Sequence, residues 1–177
     1  MRIYLIGFMG SGKSHTGKLL AAKLGIPAID LDEQIETRAG KTISDLFQTL
    51  GEDRFRALEQ QALHATSQLE HAVISCGGGT PCFFDNMQWM NDHGLTIYLH
   101  TKETLLLERL EKESAMRPIL AQTNPLSLAE HIHQLLEKRL TWYLQAQIVY
   151  HQHQNGEDVA GFLYQCMLNR QIPTILA

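Results

Sequence analysis

The chain has 177 residues, of which 44% are hydrophobic and 19% charged, with a net charge of −4. That fits one ordinary globular domain, residues 1–177, large enough to bury its own core. Nothing in this balance marks a general nucleic-acid or membrane-surface binder, so the expected partner is a small molecule.

The opening MRIYLIG is too short for a signal peptide or a membrane span. Cys76, Cys82 and Cys166 show no CxxC spacing, and an odd count without a secretory segment points to a reducing, cytoplasmic setting.

Residues 2–7, RIYLIG, read as a short buried strand ended by glycine. The next stretch, GFMGSGKS (7–14), fits G-x-x-x-x-G-K-S/T between a strand and a helix, the setting that gives this pattern its meaning. Gly7, Gly10 and Gly12 let the backbone curl so that its N–H groups point inward. The following helix, within 12–25, adds its positive end. A nucleoside triphosphate tail suits this cradle, with Lys13 reaching the β- and γ-phosphates and the Ser14 hydroxyl offered to Mg²⁺. The acceptor of a phosphoryl group must be read elsewhere.

Residues 26–32, IPAIDLD, read as a second strand, placing Asp30 and Asp32 two residues apart on one side. One carboxylate can serve Mg²⁺ and the other can orient a substrate hydroxyl. The competing reading makes Asp32 a helix cap. Short helices are expected over 33–39 and 43–49, split by Gly40, and a longer one over 52–68 containing Arg56 and Glu59. A third strand, 72–76, runs into Gly77, Gly78 and Gly79, a stretch of bare backbone. A helix over 83–94, a strand over 95–100 and a charged helix over 102–112 follow. Residues 113–127, with two prolines and Arg117, read as a loop. A helix over 128–145 carrying Arg139, a strand over 147–152 and a helix over 157–170 close the chain. Short apolar strands alternating with helices imply an α/β domain with a mostly parallel sheet, whose ligands gather at the C-terminal strand edge.

Taken in order, GFMGSGKS, DLDEQIE, GEDRFRALE, SCGGGTP, MRPIL and KR…Y resemble the shikimate kinase family over nearly the whole chain. The resemblance implies a P-loop NTPase fold. Its five-stranded parallel sheet has the order 2-3-1-4-5 and is flanked by helices. A substrate-binding segment lies near 32–60 and a lid near 112–126. It implies transfer of the γ-phosphoryl of ATP to the 3-hydroxyl of shikimate, on the route to chorismate and the aromatic amino acids.

By motif, Gly10, Ser11, Gly12, Lys13, Ser14 and His15 would hold the nucleotide, with Ser14 and Asp30 serving Mg²⁺. Asp32 would bind shikimate hydroxyls and act as the candidate base. Arg56 and Arg139 would clasp the shikimate carboxylate, Glu59 would steady Arg56, and Gly77, Gly78 and Gly79 would meet the substrate through backbone. Arg117 would be the lid arginine, catalytic and phosphate-binding, and Arg109 would lie against adenine. Catalysis would rest on Lys13, Asp32 and Arg117. His15 stands where the family has Thr, and TWYLQAQ (141–147) where a Pro-Leu-Tyr run is usual.

Two other readings stay open at this point: a kinase for another small hydroxy acid such as gluconate, and a non-catalytic nucleotide-binding module. An alanine at Gly78 or Gly79 is expected to weaken shikimate binding more than ATP binding. A monomer is expected. His131/His133 diverge on a helix, whereas His151/His153 could share a metal if extended, but no carboxylate or Cys cluster completes a set. Cys76 reads as a small buried apolar residue, and Trp89 and Met90 as core contacts.

Overall fold

A computed structural model describes residues 1–116 and 125–169. Among the described residues thirteen main elements follow in order: β1 (Arg2–Ile6), α1 (Lys13–Leu24), β2 (Ala28–Asp30), α2 (Leu31–Ala39), α3 (Ile43–Leu50), α4 (Glu52–Ala65), β3 (Ala72–Ser75), α5 (Asn86–His93), β4 (Leu95–Thr101), α6 (Glu103–Met116), α7 (Pro125–Tyr143), β5 (Ile148–Gln152) and α8 (Val159–Leu168). The five strands form one parallel sheet in the order β2-β3-β1-β4-β5.

Side-chain alternation along each strand splits the core into two layers. From β1, Ile3 and Leu5 pack with Val73, Ile97 and Leu99 against α1 and α8. Tyr4 and Ile6 face the other way, with Ile74 and Tyr98, against α2, α4, α5 and Tyr143 of α7. A smaller cluster of Phe8, Leu106, Leu110 and Ile132 joins α6 and α7 beside the end of β1. Burial on both faces accounts for the nearly continuous apolar runs of the inner strands β3, β1 and β4, whereas the edge strands β2 and β5 are partly exposed. Met90 is fully buried, as expected, and Trp89 is half-buried between His64 and His93.

Three expected boundaries move. The second strand stops at Asp30, not Asp32, because the Asp30 carboxylate accepts from the backbone N–H groups of Asp32 (3.1 Å) and Glu33 (3.3 Å) and starts α2. Asp32 therefore sits in the first turn of a helix, and Asp30 is the cap. The helix expected from residue 83 begins at Asn86, after a 3-10 turn over Thr80–Cys82 built on Pro81. The expected loop 113–127 is shorter: α6 runs on to Met116 and α7 starts at Pro125, where the missing proline N–H has no helical role. The rest of that loop, Arg117 included, lies outside the described residues.

Candidate active site

Two glycine-rich loops leave neighbouring strands at the same sheet edge. The first follows β1. Gly7, Gly10 and Gly12 adopt φ of +146°, +78° and +86°, conformations that side chains resist, and the loop closes into the N-terminus of α1. The buried Lys13 ammonium donates to the carbonyls of Gly7 (2.9 Å) and Phe8 (2.8 Å). Burial lowers its pKa to about 8, opposed by the Asp32 carboxylate. A lysine held this way has a charge desolvated in advance of any phosphate. Beside it, the Ser14 hydroxyl donates to Asp30 Oδ2 at 2.5 Å.

The second loop follows β3, where the backbone N–H of Cys76 still donates to the Leu5 carbonyl at 3.0 Å. The φ angles of Gly77, Gly78 and Gly79 lie outside the left-handed region. Close approach, not conformation, explains them. A Cβ on Gly77 would stand 2.7 Å from Glu59 Oε1 and 2.9 Å from Asp32 Oδ1. On Gly79 it would stand 2.7 Å from Arg56 Nη1. The glycines let two carboxylates and a guanidinium reach the sheet edge.

Arg56 is held firmly there. Its Nη1 donates to the buried Glu59 (2.9 Å) and its Nη2 to Glu52 (3.1 Å). Phe83 lies 4.1 Å and Phe47 5.1 Å from its guanidinium carbon. Glu59 is fixed in turn by the Thr80 hydroxyl at 2.6 Å. Arg139, on α7, passes over Phe8 toward Gly78, and its buried Nη1 has no hydrogen-bond partner among the described residues. The Asp32 carboxylate lies between this cluster and the phosphate loop. Burial, reinforced by Asp30 and Glu59, lifts its pKa to about 6. Burial also pushes the Cys76 thiol far above its usual range, so it is inert packing.

A cleft of ≈ 720 Å³ takes in Gly10 to His15, Asp30, Asp32, Gly78 and Arg109. Arg109 donates to the carbonyl of Gly10 (2.9 Å) and to Gln152 (3.0 Å). Arg56, Gly77, Gly79 and Arg139 form the cluster next to it rather than its wall.

The chain matches the shikimate kinase family over residues 9–167. It is 46% identical over 150 residues to the shikimate kinase of Bacteroides thetaiotaomicron, covering 85% of this chain and 86% of that protein. The chain belongs to the shikimate kinase family. The crystal structure of a Bacteroides thetaiotaomicron shikimate kinase superposes with a TM-score of 0.87, covering 96% of this chain and 98% of that one at 40% identity. The Acinetobacter baumannii shikimate kinase, solved in complex with shikimate, superposes at 0.85, with 31% identity over 97% and 95% of the two chains. The family is one of ATP-dependent kinases, so the resemblance drawn from the ordered motifs holds.

Within this shikimate kinase fold, three supporting residues escaped the sequence reading. The Tyr143 hydroxyl donates to the Gly78 carbonyl at 2.6 Å. Gln152 donates to the Ser11 carbonyl at 2.8 Å and bridges it to Arg109. The Ser75 hydroxyl donates to the Lys13 carbonyl at 3.1 Å. Only Tyr143 left a trace in sequence, as the last residue of KR…Y. Among the described residues no helix is long and apolar enough to cross a membrane.

Proposed function

We propose that the chain transfers the γ-phosphoryl of ATP to the 3-hydroxyl of shikimate, releasing ADP and shikimate 3-phosphate. One observation carries the reading: a glycine-rich loop holding the buried Lys13 and a cluster of two arginines, Arg56 and Arg139, share one strand edge, with Asp32 between them. An acceptor bearing a carboxylate and a hydroxyl fits that spacing of charges. The Acinetobacter baumannii relative that holds shikimate supports the same choice.

Gly10, Ser11, Gly12, Ser14 and His15 would surround the phosphates, and Arg109 the base. Lys13 would place positive charge where negative charge grows during transfer. Asp32 would orient the acceptor hydroxyl and, with its raised pKa of about 6, is suited to take its proton. Arg117 would add charge from the lid.

Ser14 and Asp30 bring two hard oxygens together at the cleft. Among the described residues no group of three or more His, Cys, Asp or Glu gathers around a metal position. That donor set fits Mg²⁺, which keeps water and phosphate ligands. Bound there, Mg²⁺ would neutralise phosphate charge. We place the enzyme in the cytoplasm as a single-domain monomer, and its three free cysteines agree with a reducing compartment.

The test is ADP release with shikimate, gluconate and nucleoside monophosphates offered separately. Turnover with shikimate alone is expected. Turnover with gluconate instead would name the other acid, and ADP release without acceptor would favour a nucleotide switch.

A further inference from the structure

His100 and His151 stand opposite each other at the C-terminal ends of β4 and β5, in direct register. Their Nδ1 atoms are 3.0 Å apart and their ring centroids 4.6 Å apart. Neighbouring residues on β5 point to opposite sides. Gln152 is buried, bound to the Ser11 carbonyl, whereas His151 is exposed on the other face. Neither histidine lines the cleft. The sequence offers His153 as a neighbour of His151 only if the segment is extended, and favours surface histidines; in the structure the neighbour of His151 comes from the next strand.

Two Nδ1 atoms at this distance share one proton, one ring donating and the other accepting. When the donating ring moves its proton from Nδ1 to Nε2, both Nδ1 lone pairs are free to take a metal ion, and neither ring loses a proton overall. The sheet ladder fixes both Cα positions, and the partly exposed rings need only tilt to turn their lone pairs onto one point.

We propose that His100 and His151 bind a transition-metal ion of the Cu²⁺ or Ni²⁺ type, with water at the remaining positions. The spacing as it stands favours that class. With metal–nitrogen bonds of about 2.0–2.1 Å, nitrogens 3.0 Å apart subtend about 90–97° at the metal. That is the cis angle of a square-planar or octahedral ion. A tetrahedral Zn²⁺ would need the nitrogens about 0.3–0.4 Å further apart. With two protein ligands the site is an accessory one of modest affinity, not a structural centre.

Tag-free protein titrated with NiCl₂ or CuCl₂, followed by calorimetry and by Cu²⁺ visible absorbance, tests this. One equivalent is expected to bind. His100→Asn and His151→Asn should each weaken binding at least about tenfold. His131→Asn, on α7, should bind as the parent does. Unchanged ADP release with Mg²⁺ in the two site variants will show that they are folded. The proposal is overturned by no saturable binding up to about 1 mM metal. Undiminished one-to-one binding in either site variant overturns it equally, as does an equal loss in His131→Asn.

Discussion

Gly79→Ala probes the proposed acceptor pocket where it closes on Arg56. A Cβ there would lie 2.7 Å from Arg56 Nη1, 2.8 Å from Nη2 and 2.9 Å from Cζ. Ordinary contact begins at 3.4 Å, so the guanidinium would have to retreat by about 0.7 Å. It has nowhere to go: Glu59 holds Nη1 at 2.9 Å, Glu52 holds Nη2 at 3.1 Å, and Phe83 lies 4.1 Å away. Gly79 has φ −91°, which alanine adopts freely, so the substitution perturbs the contact and not the backbone. A charge-assisted fork to a carboxylate contributes about 1.5–3 kcal/mol. Its loss predicts a rise of about 10- to 150-fold in the KM for shikimate, with the KM for ATP little changed. Gly78→Ala, expected from the sequence to weaken shikimate binding as well, becomes the control, because the space at Gly78 accepts a Cβ. Its Cβ would meet Arg139 Nη1 at 3.4 Å and Met9 N at 3.5 Å, ordinary contacts, so near-parental kinetics are expected. The assay is steady-state ADP release with shikimate varied at saturating ATP, paired with thermal unfolding. An unchanged shikimate KM in Gly79→Ala, or an equal rise in Gly78→Ala, would refute the packing argument.

Asp32→Asn should lower turnover by about 100-fold or more; full turnover would remove Asp32 from the transfer. The folded pKa of Asp32, about 6, lies above the unfolded value, so the native state gives up stability as pH rises from about 4 to about 6. Above pH 7 the same variant should therefore be more stable, by on the order of 1 kcal/mol, in chemical denaturation. Parental turnover should fall as pH drops through about 6. Lys13 has its pKa lowered to about 8, and a bound triphosphate should raise it again. Calorimetry of ATP binding at pH 8 in buffers of different ionisation enthalpy should show uptake of about half a proton, and none if Lys13 is already fully charged. Asp30→Asn keeps the oxygen that caps α2 but removes the charge, so it should raise the Mg²⁺ requirement while leaving Tm near the parental value. Asp30→Ala should in addition lose about 1 kcal/mol. Arg56→Ala and Arg139→Ala should both weaken shikimate binding, yet differ in Tm: the first should fall, and the second should hold or rise.

The sheet was legible because its strands are short runs rich in apolar residues, the first three closed by Gly or Asp, and the chemistry was legible where a motif is contiguous. Residues 7–14 display their whole function within eight positions. The limit shows at Asp30, where capping and strand-end readings share one residue type and only the hydrogen bonds to Asp32 and Glu33 separate them. Contacts between distant segments left almost no trace. Gln152 bonds Ser11 across 141 residues, and Tyr143 bonds Gly78 across 65. The triple glycine was readable as a place of close approach. What approaches, the side chains of Glu59, Asp32 and Arg56, depends on how α2 and α4 pack over the loop.

The opposite Tm effects of the two arginine variants follow from how each cation is held without ligand. Arg56 is part of a closed network: Glu59, nearly inaccessible, has its two oxygens taken by Arg56 and Thr80. Removing the guanidinium leaves a buried carboxylate with half its partners, a defect of about 3 kcal/mol or more. Arg139 has one buried nitrogen with no partner among the described residues, its contact with Phe8 is a loose 5.6 Å, and its remaining hold is on the Tyr143 side chain. An unpaired buried donor is itself a cost, so truncation removes a penalty along with the packing. The same asymmetry divides the labour on the acceptor. Arg56 is already neutralised and rigid, which suits it to set the orientation of a carboxylate. Arg139 gains a missing partner when the carboxylate arrives, so it should supply more of the attraction. A larger loss of shikimate affinity in Arg56→Ala than in Arg139→Ala, once both are corrected for folded fraction, would reverse that assignment.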